Sequence, residues 1–333
     1  MNYENYDQAI EILRSGGLAA IPTETVYGLA ANIFDRKAVS GIFTAKGRPS
    51  DNPLIVHIST MSMVSGLVTE ITHKAQALAD KFWPGPLTVV LPKTDKVNNT
   101  VSGGLNTVAI RMPKHKIALD IINKLGIPLA APSANRSGGP SPTTAKHVYD
   151  DLYGRIDAIV DGGPCEFGVE STVISFTDNA AKILRPGAIT REMIEEVIGN
   201  TEVDKAVYNK LKSGQTAASP GMKYKHYSPK CKVVIVDGRK EQYIEFVNKI
   251  GGGNVYAFCC DEDIPFLKIP YISYGGENNL LEQSKNLFDR LRYCDTINAG
   301  IVYVRCPKKA GIGFALYNRL LRSAGFEVIN LER

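Results

Sequence analysis

Short apolar runs alternate with amphipathic segments through the first 200 residues of this 333-residue chain. Runs of about five apolar residues have the length of buried strands, and the segments between them show helical spacing. The predicted strands are 18–22, 54–58, 87–91, 108–112, 127–131, 158–161, 172–176 and 182–184. The predicted helices are 5–15, 35–45, 72–83, 116–124, 143–152 and 190–199. This alternation predicts an α/β fold with a mixed, twisted sheet.

The pattern changes near residue 203 and becomes regular again near residue 230. Residues 204–229 show little periodicity, which is typical of a linker, although Tyr224, His226 and Tyr227 are unusual in a passive one. After it, predicted strands at 233–236, 255–258, 301–304 and 328–331 alternate with helices at 239–250, 279–293 and 312–324. We therefore expect a domain at 1–203, a linker at 204–229 and a smaller, Rossmann-like parallel α/β domain at 230–333.

Composition limits the class of protein. With 44% hydrophobic and 22% charged residues, each domain can bury a core, so disorder is excluded. No apolar run approaches the roughly 18 residues of a membrane-spanning helix, and the first residues do not resemble a secretory signal. We therefore expect a cytoplasmic protein without membrane contact. The six cysteines form no C-x-x-C pair, so we expect reduced thiols and no metal site built from protein side chains.

The charge distribution argues against a basic nucleic-acid-binding module. Residues 1–207 carry 20 basic and 22 acidic side chains, a net charge of −2, although the whole chain has +5. Neither a P-loop nor a G-x-G-x-x-G turn is present. An anionic ligand of the first domain must therefore be bound by a few cations placed in a pocket.

Polar side chains follow several predicted strands, where a sheet commonly binds its ligand. The sequence 22–29 (PTETVYGL) follows a strand, and 132–143 (PSANRSGGPSPT) follows another before a helix. In 46–49 (KGRP), two cations flank a glycine and can converge on a polyanion. Read alone, a cation pair is also typical of a solvated helix end, and the histidine in the strand at 54–58 is typical of ordinary packing.

Taken together, these segments resemble the YrdC-type domain of the threonylcarbamoyl-AMP synthase family. The resemblance covers about residues 5–200, and 219–229 (SPGMKYKHYSP) with the α/β tail resembles the longer, two-domain form. The matching segments are 22–29, 46–49, 52–57 (NPLIVH), 84–88 (PGPLT), 132–135 (PSAN), 170–172 (EST) and 185–187 (RPG). The fold implied is a twisted mixed sheet with a concave ligand face.

The resemblance implies that L-threonine, bicarbonate or CO2, and ATP give L-threonylcarbamoyl-AMP and pyrophosphate, a nucleotidyl transfer that supplies tRNA modification next to the anticodon. Lys46 and Arg48 are the implied catalytic residues. The residues implied at ATP are Arg48, Asn52, Thr107, Ser133, Asn135, Ser141, Arg185 and Tyr227. The residues implied at threonine are Thr25, His57, Arg111, Ala131 and Ser171, with Ala131 acting through its backbone. Mg²⁺ is expected to accompany ATP, and the expected partners are the downstream tRNA threonylcarbamoyl transferase machinery and, by weak contact, tRNA.

Two other classes remain open from the sequence. One is a protein that binds double-stranded RNA or tRNA on the concave face without nucleotidyl transfer, against which the acidic net charge of residues 1–207 argues. The other is a carbamoyl transfer domain like that of hydrogenase-maturation proteins. Those proteins carry acylphosphatase and zinc-finger regions that this chain lacks.

Overall fold

The computed structural model describes residues 6–177, 180–210 and 226–331, excluding the side chain at position 177. Its contacts divide the chain into two compact units. The first comprises Met1–Ser137 and Ser141–Lys223, and the second Gly138–Pro140 and Tyr224–Arg333. Of the predicted linker at 204–229, residues 211–225, including Tyr224, lie outside the described part of the chain.

The first unit contains a mixed sheet with helices. Within the described ranges its strands pair in the order β10-β9-β8-β4-β5-β3-β6-β2-β1-β7. The strands are β1 (Ala19–Ile21), β2 (Gly28–Asn32), β3 (Ile55–His57), β4 (Leu87–Pro92), β5 (Thr107–Arg111), β6 (Leu129–Ala130), β7 (Ala158–Ile159), β8 (Thr172–Thr177), β9 (Ala180–Arg185) and β10 (Glu202–Val203). The helices are α1 (Asp7–Arg14), α2 (Arg36–Lys46), α3 (His73–Phe82), α4 (Asn99–Ser102), α5 (Lys116–Leu125), α6 (Ala145–Leu152) and α7 (Arg191–Ile198).

Local chemistry fixes where the helices begin and end. The carboxylate of Asp35 accepts hydrogen bonds from the backbone N–H groups of Lys37 and Ala38, at 2.8 and 3.1 Å, and so caps α2. At the other end Gly47 adopts φ = 62°, which lets the chain turn sharply after Lys46. After this turn Arg48 contacts the main-chain oxygens of Asn52 and Pro53, just before β3.

Apolar cores cover both faces of the sheet. Because side chains alternate along a strand, Ala20 of β1 packs in one core and Ile21 in the other. The first core includes Ile42 of α2, and the second includes Leu13 of α1 and Ile122 of α5. Full burial of a leucine or isoleucine side chain contributes about 1.5–3 kcal/mol, so the two cores hold the polar strand ends in fixed positions.

The second unit is a parallel sheet with helices, as the sequence predicts. Its strands pair in the order β13-β12-β14-β11-β15, and every pairing among its described strands is parallel. The strands are β11 (Lys232–Asp237), β12 (Val255–Cys259), β13 (Tyr271–Ser273), β14 (Ile301–Arg305) and β15 (Val328–Asn330). The helices are α8 (Lys240–Ile250), α9 (Leu280–Thr296) and α10 (Ile312–Ser323).

The α/β fold prediction is confirmed in both units, whereas β2 was not predicted. Its sequence, GLAAN, is short and rich in small residues, and it lacks the β-branched side chains that mark strands. Small residues are needed because a Cβ at Gly28 would lie 3.1 Å from the Cβ of Ala131. Among the described residues, no helix has the length and apolarity required to cross a membrane.

Candidate functional site

Lys46 connects the end of α2 to the loop that follows β6. Its ammonium group donates to the main-chain oxygens of Ser133 and Asn135, the latter at 2.6 Å. The side chain is buried, and this burial, together with the charge of Arg48, moves the pKa of Lys46 well below its usual range. An arriving anion would stabilise the charged form of this lysine.

Arg48 lies two residues beyond Lys46 and is largely buried. Its Nη2 donates to the main-chain oxygens of Asn52 at 3.4 Å and Pro53 at 3.1 Å. The Asn52 side chain is fully buried, and its amide finds no hydrogen-bond partner within the described ranges. A buried amide without a partner costs free energy, so Asn52 is suited to bind a ligand at this place.

The loop after β6 carries the hydroxyl and amide groups predicted at the nucleotide. Ser133 donates from Oγ to Oδ1 of Asn135 at 2.6 Å, and Ser141 donates to the carboxylate of Glu170 at 2.5 Å. The structure therefore brings Lys46, Ser133 and Asn135 into direct contact. It also shows that the site contains a buried acid, Glu170, which the sequence did not single out.

Arg111 forms a buried ion pair at the end of β5. Its Nη2 lies 2.7 Å from Oε2 of Glu24, although the pair lacks the direction of a good hydrogen bond. His57 is the neighbour of Arg111 in the register between β3 and β5. Burial, with the charge of Arg111 adding to it, lowers the pKa of His57 to about 3, so this imidazole is neutral at physiological pH.

Ser171 directly precedes β8, and its hydroxyl group contacts two side chains. Its hydroxyl lies 2.8 Å from Oγ1 of Thr88, and Nη2 of Arg185 donates to it at 3.1 Å. Nε of Arg185 donates to the main-chain oxygen of Ser171 at 3.0 Å. Gly187 permits this approach, because a Cβ there would lie 2.3 Å from the backbone nitrogen of Thr172.

The remaining predicted residues of the first unit lie at other strand ends. Thr25 is buried in the loop after β1, with its hydroxyl 2.9 Å from that of Thr23. Ala131 is buried beside β3 and donates its N–H to the oxygen of Ile55 at 2.9 Å. Thr107 begins β5, so a strand of about 13 Å separates it from Arg111.

Tyr227 belongs to the second unit. It is buried, has φ = 64°, and packs against Phe288 with ring centroids 5.2 Å apart. The guanidinium carbon of Arg319 lies 5.7 Å from the centre of the Tyr227 ring. Its assignment to the nucleotide stays a prediction, as do the roles of the other predicted site residues.

Metal binding is limited by the donors that are present. Within the described parts of the chain, no group of three or more His, Cys, Asp or Glu side chains is placed to hold an ion. The two buried carboxylates near the predicted site have protein partners, Arg111 for Glu24 and Ser141 for Glu170. All six cysteines lie within the described residues, and none of them forms a disulfide.

Three residues of this region were missed by sequence reasoning: Glu24, Thr88 and Glu170. Each is buried and contacts a predicted residue. A signal existed for two of them, because an acidic residue followed by a hydroxyl residue, as in Thr-Glu-Thr and Glu-Ser-Thr, is unusual at a buried strand end. Thr88 has no such signal, since a threonine is common in a strand.

Comparisons with known proteins cover both units. The family model described as "Telomere recombination" matches residues 11–187, and that described as "Threonylcarbamoyl-AMP synthase, C-terminal domain" matches residues 189–325. The threonylcarbamoyl-AMP synthase of Pyrococcus abyssi is 44% identical over 97% of this chain and 95% of its own length. That of Bacillus subtilis is 45% identical over 97% of this chain and 93% of its own length.

A solved structure shares the whole architecture. The crystal structure of P. abyssi Sua5 complexed with L-threonine matches with a TM-score of 0.90 and 44% identity, covering 98% of this chain and 95% of that one. The similarity thus extends through both units. This chain belongs to the threonylcarbamoyl-AMP synthase family, in its two-domain form.

Proposed function

We propose that this chain is a nucleotidyltransferase that makes L-threonylcarbamoyl-AMP from L-threonine, bicarbonate or CO2, and ATP, with release of pyrophosphate. Family membership supports this assignment, and one structural observation carries it. The buried ammonium of Lys46 is bonded to the loop of Ser133 and Asn135, next to the guanidinium of Arg48. Such a grouping can neutralise a triphosphate without covalent chemistry.

The nucleotide would be bound mainly by cations and small polar groups. Lys46 and Arg48 would balance charge on the phosphates, and the amide of Asn52 would gain the partner it lacks. The full proposed set is Arg48, Asn52, Thr107, Ser133, Asn135, Ser141, Arg185 and Tyr227. Catalysis in this set is positioning and charge stabilisation, so no nucleophilic side chain is needed.

Threonine would bind beside the ends of β3 and β5. Arg111 is suited to its carboxylate, and Thr25 and Ser171 supply hydroxyls, while Ala131 contributes backbone. His57 is neutral because of its low pKa, so it can orient the threonine hydroxyl or carboxylate by hydrogen bonding but cannot act there as a general acid near neutral pH. The relative crystallised with L-threonine supports an amino-acid site of this class.

The proposed reaction has two bond-forming steps. The uncharged threonine amine attacks the carbon of CO2 or bicarbonate and gives a carbamate. With CO2 the amine proton passes to solvent, and with bicarbonate it leaves together with the hydroxyl group as water. A carbamate oxygen then attacks the α-phosphorus of ATP in line, and the bond to pyrophosphate breaks. Because the second step joins two anions, a carbamate and a triphosphate, the cations of the site would lower its barrier by holding them together.

We propose that Mg²⁺ enters with ATP. The buried carboxylates of the site already have protein partners, so the ion would be held by phosphate oxygens and water, a usual arrangement for Mg²⁺ with nucleotides. It would supply neutralisation of the phosphate charge. The product would pass to a downstream transferase that modifies tRNA, and direct contact with tRNA would be weak.

Mass spectrometry of reaction mixtures tests the proposed function. The complete mixture should yield threonylcarbamoyl-AMP and pyrophosphate, and omitting threonine or bicarbonate in turn should abolish the adduct. A folded protein that makes no adduct under any condition contradicts the proposal. RNA binding that depends on salt, in a protein that does not bind ATP, would instead support the RNA-binding alternative.

A further inference from the structure

The Glu24–Arg111 pair is unusual because both of its charges are buried. The side chains are 1% and 4% exposed, respectively, and Nη2 and Oε2 are 2.7 Å apart. Two other titratable groups near Arg111 are neutral, because burial lowers the pKa of His57 to about 3 and raises that of Cys165 to about 12. Within the described residues, the carboxylate of Glu24 therefore compensates the charge of Arg111.

Hydrogen bonds tie the backbone of the loop that carries Glu24. Thr23 donates from its hydroxyl to the oxygen of Val26 at 2.6 Å and accepts from the N–H of Thr25 at 3.2 Å. The main-chain oxygen of Glu24 accepts from the N–H of Phe167 at 2.9 Å. These bonds fix the backbone from which the Glu24 side chain reaches Arg111, and the carboxylate itself is held by the ion pair.

Arg111 keeps hydrogen-bonding capacity beyond this pair. A guanidinium has five N–H donors, and in the described structure neither Nε nor Nη2 of Arg111 has a well-directed acceptor. The single close contact with Glu24 thus compensates the charge and leaves other donors of the guanidinium available. An arginine in this state is prepared for a second carboxylate, and the zwitterion of an α-amino acid supplies one.

We propose that Glu24 is a positioning residue, which holds the Arg111 guanidinium for the carboxylate of the amino-acid substrate; this rests on the proposed function. Glu24 acts through Arg111 and does not itself touch the substrate. Its loss should therefore weaken recognition of the substrate carboxylate and leave the nucleotide unaffected. A displacement of the guanidinium by about 1 Å can cost roughly a hundredfold in binding or rate.

Glu24→Gln removes the charge and keeps the shape of the side chain. Calorimetry and steady-state kinetics on the full chain should show the Kd and KM for L-threonine rising about tenfold or more, with those for ATP within about twofold. Glu166→Gln is the matched control, because it removes an exposed carboxylate from the same unit and should change neither. Should Glu24→Gln fail to fold, Glu24→Asp provides a second variant. It keeps the charge but moves it away from Arg111, because its side chain is shorter, and it should show a smaller effect of the same kind.

L-Threoninamide separates positioning from a merely structural role, because it lacks the carboxylate. Its inhibition constant against threonine should change by less than about twofold in Glu24→Gln, while threonine affinity falls about tenfold. Equal weakening of threonine and its amide, or unchanged threonine binding, overturns the proposal for Glu24. A folded wild-type protein that binds no threonine at all instead overturns the proposed function, so the two failures are distinct.

Discussion

The Nζ atom of Lys46 lies 2.6 Å from the main-chain oxygen of Asn135, which joins the last residue of α2 to a loop 89 positions further along the chain. The same ammonium also contacts the main-chain oxygen of Ser133. These bonds shape the Ser133–Asn135 turn and keep a cation beside its hydroxyl and amide groups. Lys46 is therefore both a structural tie and a source of charge.

Replacing Lys46 separates these two roles. Lys46→Met fills a similar volume but leaves two buried carbonyl groups without their donor, at a cost of about 1–3 kcal/mol in the free energy of unfolding. We expect adduct formation to fall by about a hundredfold or more, because the phosphate charge also loses a partner. Urea unfolding and a pyrophosphate-release assay measure the two effects.

Lys46→Arg keeps the charge and provides the control. The larger guanidinium does not match the position of a compact ammonium. The activity of Lys46→Arg should therefore lie between those of Lys46→Met and the wild type. If Lys46→Met keeps full activity, the ammonium has no role at the phosphates.

Arg48 should matter for activity more than for folding. Two of its hydrogen bonds go to the main-chain oxygens of Asn52 and Pro53. Arg48→Ala removes the charge, and we expect the fold to be retained. We expect loss of most product formation with a cooperative unfolding transition retained. Adduct yield by mass spectrometry and thermal unfolding should be compared with Arg36→Ala, a substitution at an exposed cation of α2. A folded and fully active Arg48→Ala excludes Arg48 from the phosphate site.

The sequence indicated most of the elements and many of the polar groups, but not how the groups pair. Strand ends are visible in the apolar pattern, so the positions of His57 and Arg111 at the ends of β3 and β5 follow from it. The pairing of Arg111 with Glu24 does not, because residues 87 positions apart meet only through the strand order. Likewise, β2 was missed because burial on both faces, and not side-chain propensity, makes GLAAN a strand.

Gly187 is predicted to preserve the position of Ser171, because its backbone lies against the Ser171–Thr172 peptide. An added Cβ would lie 2.3 Å from the backbone nitrogen of Thr172 and 2.7 Å from the carbonyl carbon of Ser171, so the backbone must shift. We expect Gly187→Ala to destabilise the protein by about 1–3 kcal/mol and to raise the KM for threonine. Gly199→Ala is a useful comparison, because its Cβ meets nothing within 4 Å, although its positive φ adds strain. Unaltered threonine affinity in a folded Gly187→Ala would contradict the placement of Ser171 at threonine.

Removal of Mg²⁺ should affect turnover and not the fold. Since the buried carboxylates of the site have protein partners, a chelator should abolish adduct formation while the melting temperature of the nucleotide-free protein stays unchanged. Added Mg²⁺ in excess of the chelator should restore activity. A fall in the melting temperature on chelation would instead indicate a metal bound by the protein itself.

His57 should contribute a recognisable acid sensitivity to stability. Its pKa is about 3 in the folded chain and about 6.5 when exposed, mainly because burial disfavours the charged imidazole. As the pH falls below about 6.5, the unfolded state takes up a proton that the folded state does not, so stability decreases by up to about 1.4 kcal/mol per pH unit until the folded pKa is reached. Denaturant unfolding of the ligand-free wild type and of His57→Asn should be compared at pH values between these two pKa values. As the pH falls, the free energy of unfolding should decrease more in the wild type than in His57→Asn. Parallel curves would show that His57 is protonated alike in both states, and its assignment as a neutral hydrogen-bonding group would be wrong.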